Sequence, residues 1–287
     1  MREASSVKAG RAASLIFTLF GDFRELHNGV LPVGSLVALM GELGITSQAV
    51  RQALSRMVTH GWLKRTKDNG RASYALTARG AGRIAQIAPR IYEPAAEWDG
   101  RWRIVIYGIS EKARQLRDRL RKDLTLLGLA PFAPSVWISP RDVRAEIFQL
   151  VQQPALATGI QLFVGDYEGP ASDRELLERS WGVDAIAAAY REFIAQYEPR
   201  LERERAAHSL TEREAFVERL RLVQDFRRFL YIDPGLPSVL LRPHWPGSVA
   251  SGLFRQYYAL IASKAERFFL STLRPREGAS GSRLPHR

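Results

Sequence analysis

GITSQAVRQALSRMVTHGWLKRTKDNGRASYALTARG occupies residues 44–80 of a 287-residue chain. Between residues 47 and 60 the apolar side chains Val50, Leu54, Met57 and Val58 recur at helical spacing. Thr46 stands where an N-cap accepts the first free amides, and Gly61 where a C-cap ends the helix. The opposite face carries Ser47, Gln48, Arg51, Gln52, Ser55 and Arg56. A solvated helix face ordinarily mixes signs, because Glu–Lys pairs add stability. This face holds hydrogen-bonding groups and no acid, as the approach of phosphates requires.

Working outward, residues 12–20 and 33–43 are two further apolar-rich helical segments. The second ends close before the helix over 47–60, a spacing that fits a helix-turn-helix whose second helix enters the major groove. Beyond Gly61, residues 62–66 and 71–76 are strand-like runs on either side of Lys67-Asp68-Asn69-Gly70. Asn-Gly is a strong hairpin signal, since both residues tolerate positive φ. Three helices and a basic hairpin make a winged helix-turn-helix, and the partner it predicts is double-stranded DNA. Side-chain reach divides the labour. Ser47, Gln48, Arg51, Gln52 and Ser55 are placed to read base edges, arginine pairing with guanine and glutamine with adenine. Arg56, Lys64, Arg65, Lys67 and Arg71 are placed to hold the backbone, which positions without specifying.

The charge balance agrees. The formal net charge is +12, and residues 1–92 hold 13 Lys and Arg against 5 Asp and Glu, so +8 lies in the first third. Such a balance favours polyanions, although composition alone leaves RNA, DNA and an acidic membrane surface open. The absence of cysteine excludes thiolate metal sites and a disulfide-framed scaffold. Five scattered histidines, His27, His60, His208, His244 and His286, lack metal-ligand spacing. The basic-then-apolar N-terminus is broken by Thr18, Asp22 and Arg24 and lacks a small-x-small cleavage pattern, so it reads as no signal peptide. No apolar run approaches the ~20 residues of a bilayer span, and the expected location is cytoplasmic.

Thr77 caps a linking helix over 78–92, interrupted or ended near Pro89, and EPAAEWDG (93–100) reads as a linker. Next come a strand at 102–107, an Arg- and Leu-rich helix at 111–127, a strand at 135–139, a helix at 141–153 and a strand at 161–164. That alternation predicts an α/β sandwich of ferredoxin-like type. From residue 174 helices dominate, over 174–197, 211–231 and 248–273. DPGLPSVLLRPHWPG (233–247), with four prolines, reads as a rigid ordered loop. The expected fold is α+β and multidomain: a DNA-binding domain with its linking helix (1–92), a ferredoxin-like middle domain (98–172), a helical C-terminal domain (173–275) and a disordered tail (276–287).

Three consecutive pieces carry a resemblance that covers nearly the whole chain: TSQAVRQALSRMVTHGWL, WRIVIYGISEKARQLRDRLRKDLTLLGLAPFAPSVWISPRD and DPGLPSVLLRPHWPG. In that order they resemble the PaaX family of bacterial transcriptional repressors, which control phenylacetic acid catabolism. The resemblance implies a winged-helix domain, a Cas2-like ferredoxin-fold middle domain and a helical C-terminal domain. It also implies a homodimer that binds operator DNA and leaves it when an aryl-CoA thioester, typically phenylacetyl-CoA, binds. No catalytic residue, metal or cofactor is expected. The Cas2 likeness raises a metal-dependent nuclease as a rival, with an aspartate just after the first strand. Gly108 stands there instead, so that ligand is missing.

An acyl-CoA needs cations for its phosphates beside an apolar slot for the acyl group. The candidates are Arg141, Arg144, Arg227, Arg228 and Arg242, with Trp137, Phe226, Tyr231 and Trp245 as apolar walls. The helical end could serve instead as the dimer interface. A constitutive nucleic-acid-binding or scaffolding protein without an effector is the alternative function.

Overall fold

The structure is a computed structural model that describes residues 2–68, 70–92, 97–110, 113–152, 156 and 159–273; for residues 2–9 and 86 it describes the backbone alone. The chain divides into two compact units, neither continuous in sequence. One gathers the described residues of Met1–Gln86, Arg203–Gln224 and Gln256–Arg287; the other joins Ile87–Glu202 to Asp225–Arg255.

In the first unit the order is α1 (Arg2–Asp22), β1 (Val30–Pro32), α2 (Val33–Gly41), α3 (Ser47–Thr59), β2 (Leu63–Asp68), β3 (Arg71–Leu76) and the start of α4 (Ala78–Tyr92). The strands form an antiparallel sheet, β1-β3-β2. The short β1 was not foreseen: it has three residues and ends in Pro32, and pairs Leu31 with Tyr74. Ala12, Leu15, Ile16, Leu19, Phe20 and Phe23 of α1 are buried at helical spacing, against Leu36, Leu39 and Met40 of α2 and Val50, Leu54 and Met57 of α3. Val58 is only half-buried.

The same core continues into α9 (Glu212–Phe226) and the distal part of α11 (Pro246–Leu273). Phe23 stacks on Phe269 at 4.5 Å and meets Phe216 at 5.6 Å between ring centroids. Beneath them the Arg219 guanidinium donates to the buried Asp22 carboxylate at 2.8 Å and to Glu266 at 2.9 Å. The Tyr258 hydroxyl donates to Asp22 at 2.9 Å, and burial together with the Asp22 charge pushes its pKa up, keeping it a donor.

The second unit holds β4 (Trp102–Tyr107), α5 (Arg114–Leu126), β5 (Ala130–Ala133), β6 (Val136–Ser139), α6 (Arg144–Val151) and β7 (Ile160–Gly165). All neighbours in the sheet β5-β6-β4-β7 are antiparallel, the ferredoxin-like order. Val105 of β4 lies between Trp137 and Leu162 and packs with Tyr107, Leu120, Leu124 and Ile147. The proline-containing β5 was not foreseen, because its register shifts between Pro131 and Ala133 and its pattern is not periodic. The helix expected over 111–127 begins at Arg114, and that over 141–153 runs from Arg144 to Val151; residues 111, 112 and 153 lie outside the described residues.

Three helices differ from the sequence reading. The linking helix α4 continues through Pro89 to Tyr92, although the proline leaves the carbonyl four residues earlier without its amide partner. The helix expected over 174–197 is two, α7 (Asp173–Ser180) and α8 (Val183–Ala207). Trp181 adopts an extended backbone between them and stacks with Trp102 at 6.3 Å. A capping box of Ser172 and Glu175 opens α7. The helix expected over 211–231 ends at Phe226, and α10 (Phe229–Ile232) follows as a separate turn. The tail at 276–287 and part of the linker, 93–96, lie outside the described residues.

Candidate nucleic-acid interface

Thr46 caps α3 by accepting from the Ala49 amide at 3.3 Å. Gly61, with φ of +71°, ends it: the Gly61 amide donates to the Val58 carbonyl and the Trp62 amide to that of Met57, the paired bonds of a Schellman cap. With Val50, Ala53, Leu54 and Met57 turned to the core, Ser47, Gln48, Arg51, Gln52 and Ser55 stand exposed together on the opposite face. No side-chain hydrogen bond or ion pair engages any of the five among the described residues. The expected base-reading set therefore shares one accessible surface. Arg56 differs from its expected place on that surface. It is half-buried, and one terminal guanidinium nitrogen is enclosed with no hydrogen-bond partner among the described residues.

Lys64, Arg65, Lys67 and Arg71 are exposed on the β2–β3 hairpin, where Asp68 pairs with Arg71 across a two-residue turn. Gly70 in that turn has φ of +76°, as a primed turn requires; Asn69 lies outside the described residues. Alternating register sends Lys64 and Arg65 to opposite faces of the ribbon, so the basic side chains surround it rather than line one edge.

The corner from α3 into β2 is a cluster that periodicity did not reveal. Thr77 accepts from the Gly80 amide at 3.1 Å, as the sequence suggested, while its hydroxyl donates to the Gly61 carbonyl at 2.6 Å. Arg79 donates to the His60 carbonyl at 2.9 Å, and its guanidinium lies 4.3 Å from the Trp62 ring centroid. The only sequence signal was a Gly-Trp pair followed, after the hairpin, by Thr-x-Arg-Gly.

The nine effector candidates all fall in the second unit, but they do not make one surface. Trp137 is a core residue of the ferredoxin-like sheet. Phe226, stacked on Phe254 at 4.3 Å, and Trp245, edge-on to Tyr190 at 6.1 Å, belong to an aromatic cluster with Phe229 and Phe193. Tyr231 is 65% exposed. The cations are engaged. Arg141 donates to the carbonyls of Pro234 at 2.9 Å and Leu127 at 3.3 Å, and burial lowers its pKa against the opposing charges of Glu146 and Asp233. Arg144 forks onto Asp142, whose carboxyl it holds down at about 2. Arg228 donates to the Ala189 carbonyl, and Arg242 reaches Glu178 and Asp184. The Arg227 Nε is buried.

Sequence reading missed the residue that organises this region, Asp233. Its carboxylate accepts from the Tyr190 hydroxyl at 2.6 Å and from the amides of Gly235 and Leu236, and its carbonyl accepts from Arg90 at 2.9 Å. The Asp-Pro-Gly turn was the available signal, since an aspartate opening such a turn bonds to amides two residues on. Among the described residues no three metal-ligating side chains gather, and no helix is long and apolar enough to cross a membrane.

Comparison with known proteins assigns the class. Residues 11–80 match the PaaX-like protein family, 95–177 the PaaX protein central Cas2-like domain and 181–271 the PaaX-like protein C-terminal domain. The chain belongs to the PaaX family of transcriptional repressors, regulators rather than enzymes. Transcriptional repressor PaaX of Escherichia coli (strain K12) is 32% identical over 262 residues, which cover 89% of this chain and 82% of that protein. A solved structure, the uncharacterized protein Rv0674 from Mycobacterium tuberculosis, is similar with a TM-score of 0.56, covering 88% of this chain and 96% of that one. At 22% identity that likeness concerns the fold alone.

Proposed function

We propose that this chain is an operator-binding repressor of a phenylacetate-type aromatic acid catabolic operon, released from DNA by an aryl-CoA thioester such as phenylacetyl-CoA. In this reading the first-unit elements α1 to β3 form a winged helix-turn-helix, α3 reads the major groove, and Lys64, Arg65, Lys67 and Arg71 clamp flanking phosphates. The observation that carries it is the exposed, unpaired, acid-free face of Ser47, Gln48, Arg51, Gln52 and Ser55 beside the basic hairpin. Kinship to a transcriptional repressor supports the same reading.

The protein acts as a cytoplasmic homodimer, two winged helices meeting two half-sites one or two helical turns apart. The effector binds the second unit and favours a dimer geometry that no longer matches that spacing. It shifts the equilibrium only by its differential affinity for the two geometries. Because Arg141, Arg144, Arg228 and Arg242 are already bonded within the chain, an effector recruits them by exchanging those partners.

The test is fluorescence anisotropy on DNA upstream of the protein's own gene at fixed salt, followed by addition of phenylacetyl-CoA, free phenylacetate or acetyl-CoA. Selective binding released by the aryl-CoA alone is the expected result. Selective binding that none of the three releases removes the effector. Absence of selective binding removes the repressor.

A further inference from the structure

Residues 60–62 are the whole connection between α3 and the basic hairpin. All three carbonyls of this corner are held from the first turn of α4. Arg79 donates to His60, the Thr77 hydroxyl to Gly61 and the Thr77 amide to Trp62 at 3.1 Å. Arg79 does two things at once: it bonds to the end of α3, and its guanidinium covers the Trp62 ring one residue before β2 begins. Phe17 meets the same indole edge-on at 6.0 Å. A Cβ on Gly80 would lie 2.4 Å from the Trp62 carbonyl oxygen, so only glycine lets α4 approach this closely. A cation at a helix C-terminus also meets the negative end of the α3 dipole.

The lever is long. Arg51 lies about 13 Å along the helix from this corner, so a tilt of about 10° moves its backbone by about 2 Å. That displacement exceeds the tolerance of a bidentate base contact. We propose that Arg79 is a positioning residue for operator recognition: it fixes the angle between the reading face of α3 and the phosphate-holding hairpin without touching DNA. The inference rests on the repressor reading above.

The experiment uses the full chain and anisotropy at several salt concentrations, on the upstream duplex and a scrambled duplex of the same length. Arg79 is exposed, so Arg79→Ala is a surface change that leaves the core intact. The expected result is a loss of about five- to tenfold in preference for the upstream duplex, from one hydrogen bond and one cation–π contact. Affinity for scrambled DNA and the salt slope stay at wild-type values. Arg79→Lys, which still donates and still lies over the ring, recovers part of the preference.

An equal loss on both duplexes with a shallower salt slope would make Arg79 a phosphate contact and overturn the proposal. Wild-type preference with a lower melting temperature would make it a stability residue and overturn it equally. If the wild-type chain itself shows no preference, the repressor reading fails before any variant is compared, and the positioning role falls with it.

Discussion

The Asp22 carboxylate accepts from the Arg219 guanidinium at 2.8 Å, and the two side chains are 0% and 3% exposed. Asp22 closes α1 and Arg219 lies mid-way along α9, nearly 200 residues later, so this ion pair fastens the N-terminal helices to the C-terminal ones. Removing the Asp22 carboxylate leaves the buried Arg219 with the partly exposed Glu266 as its remaining acidic partner among the described residues. It also takes away the oxygens that the Arg219 Nε and the Tyr258 hydroxyl use. Asp22→Ala should therefore destabilise the first unit by about 2–4 kcal/mol, less than a fully stranded charge because Glu266 stays in place. Asp22→Asn, which keeps an acceptor, should cost about 1–3 kcal/mol. Urea melts of the full chain decide; a loss below about 1 kcal/mol for Asp22→Ala would show that the pair is not buried in solution.

Base reading and phosphate holding separate in binding data. Arg51→Ala should lose about 1–3 kcal/mol on the preferred duplex and relax preference at one base position. Lys67→Ala should weaken all duplexes alike and lower the salt slope by about one. Equal, sequence-independent losses for the two variants would move the reading face away from α3.

Two glycines make opposite predictions. Gly128 has φ of +87°, and a Cβ there would lie 2.5 Å from the Pro234 Cβ. Gly128→Ala should destabilise by about 2 kcal/mol or more, through backbone strain and a clash with a proline that cannot yield. Gly82, inside α4, has nothing within 4 Å of its added Cβ. Gly82→Ala should stabilise by about 0.5–1 kcal/mol. Thermal melting of the two variants side by side checks both, and a stabilising Gly128→Ala would contradict the packing of the 233–247 loop against the end of α5.

His27 supplies a pH signature. Burial lowers its pKa from the ordinary 6.5, outweighing its bonds to backbone groups. Its Nδ1 accepts from the Gly29 amide at 3.0 Å, which leaves Nε2–H facing the Phe20 carbonyl at 3.3 Å, the neutral ring. A depressed folded pKa means that the unfolded chain binds the proton first. The contribution is whole above pH 6.5 and shrinks as pH falls below it towards the folded value. Melting temperature should drop between pH 7 and pH 5 in the wild type and more shallowly in His27→Gln. Parallel curves would mean that His27 does not drive the acid sensitivity.

The elements of the proposed DNA interface were legible because their signals are local. Thr46, the 3.6-residue stripe through Val50 and Met57, Gly61 and the hairpin glycine each act within a few residues, and the structure puts them where periodicity and turn chemistry said. The effector candidates were not legible in the same way. Arginine in a sequence advertises a charge but not its partner, and Arg141, Arg144 and Arg242 found theirs in carbonyls and carboxylates of the protein itself.

By itself the sequence determined most of the helices, the acid-free exposed face of α3, the alternation of strands and helices in the middle and the family to which these belong. Those properties are set by backbone propensity, side-chain period and residue order, all short-range quantities. Only the tertiary structure decided which helices share a core. It joined α9 and the end of α11 to the N-terminal unit through Phe216, Arg219 and Phe269, tied Asp233 to the Tyr190 hydroxyl, and closed the α3 corner with Arg79. The reason is physical: burial and ion pairing reward contact between groups regardless of their separation along the chain, and no local pattern records which distant partner satisfies them.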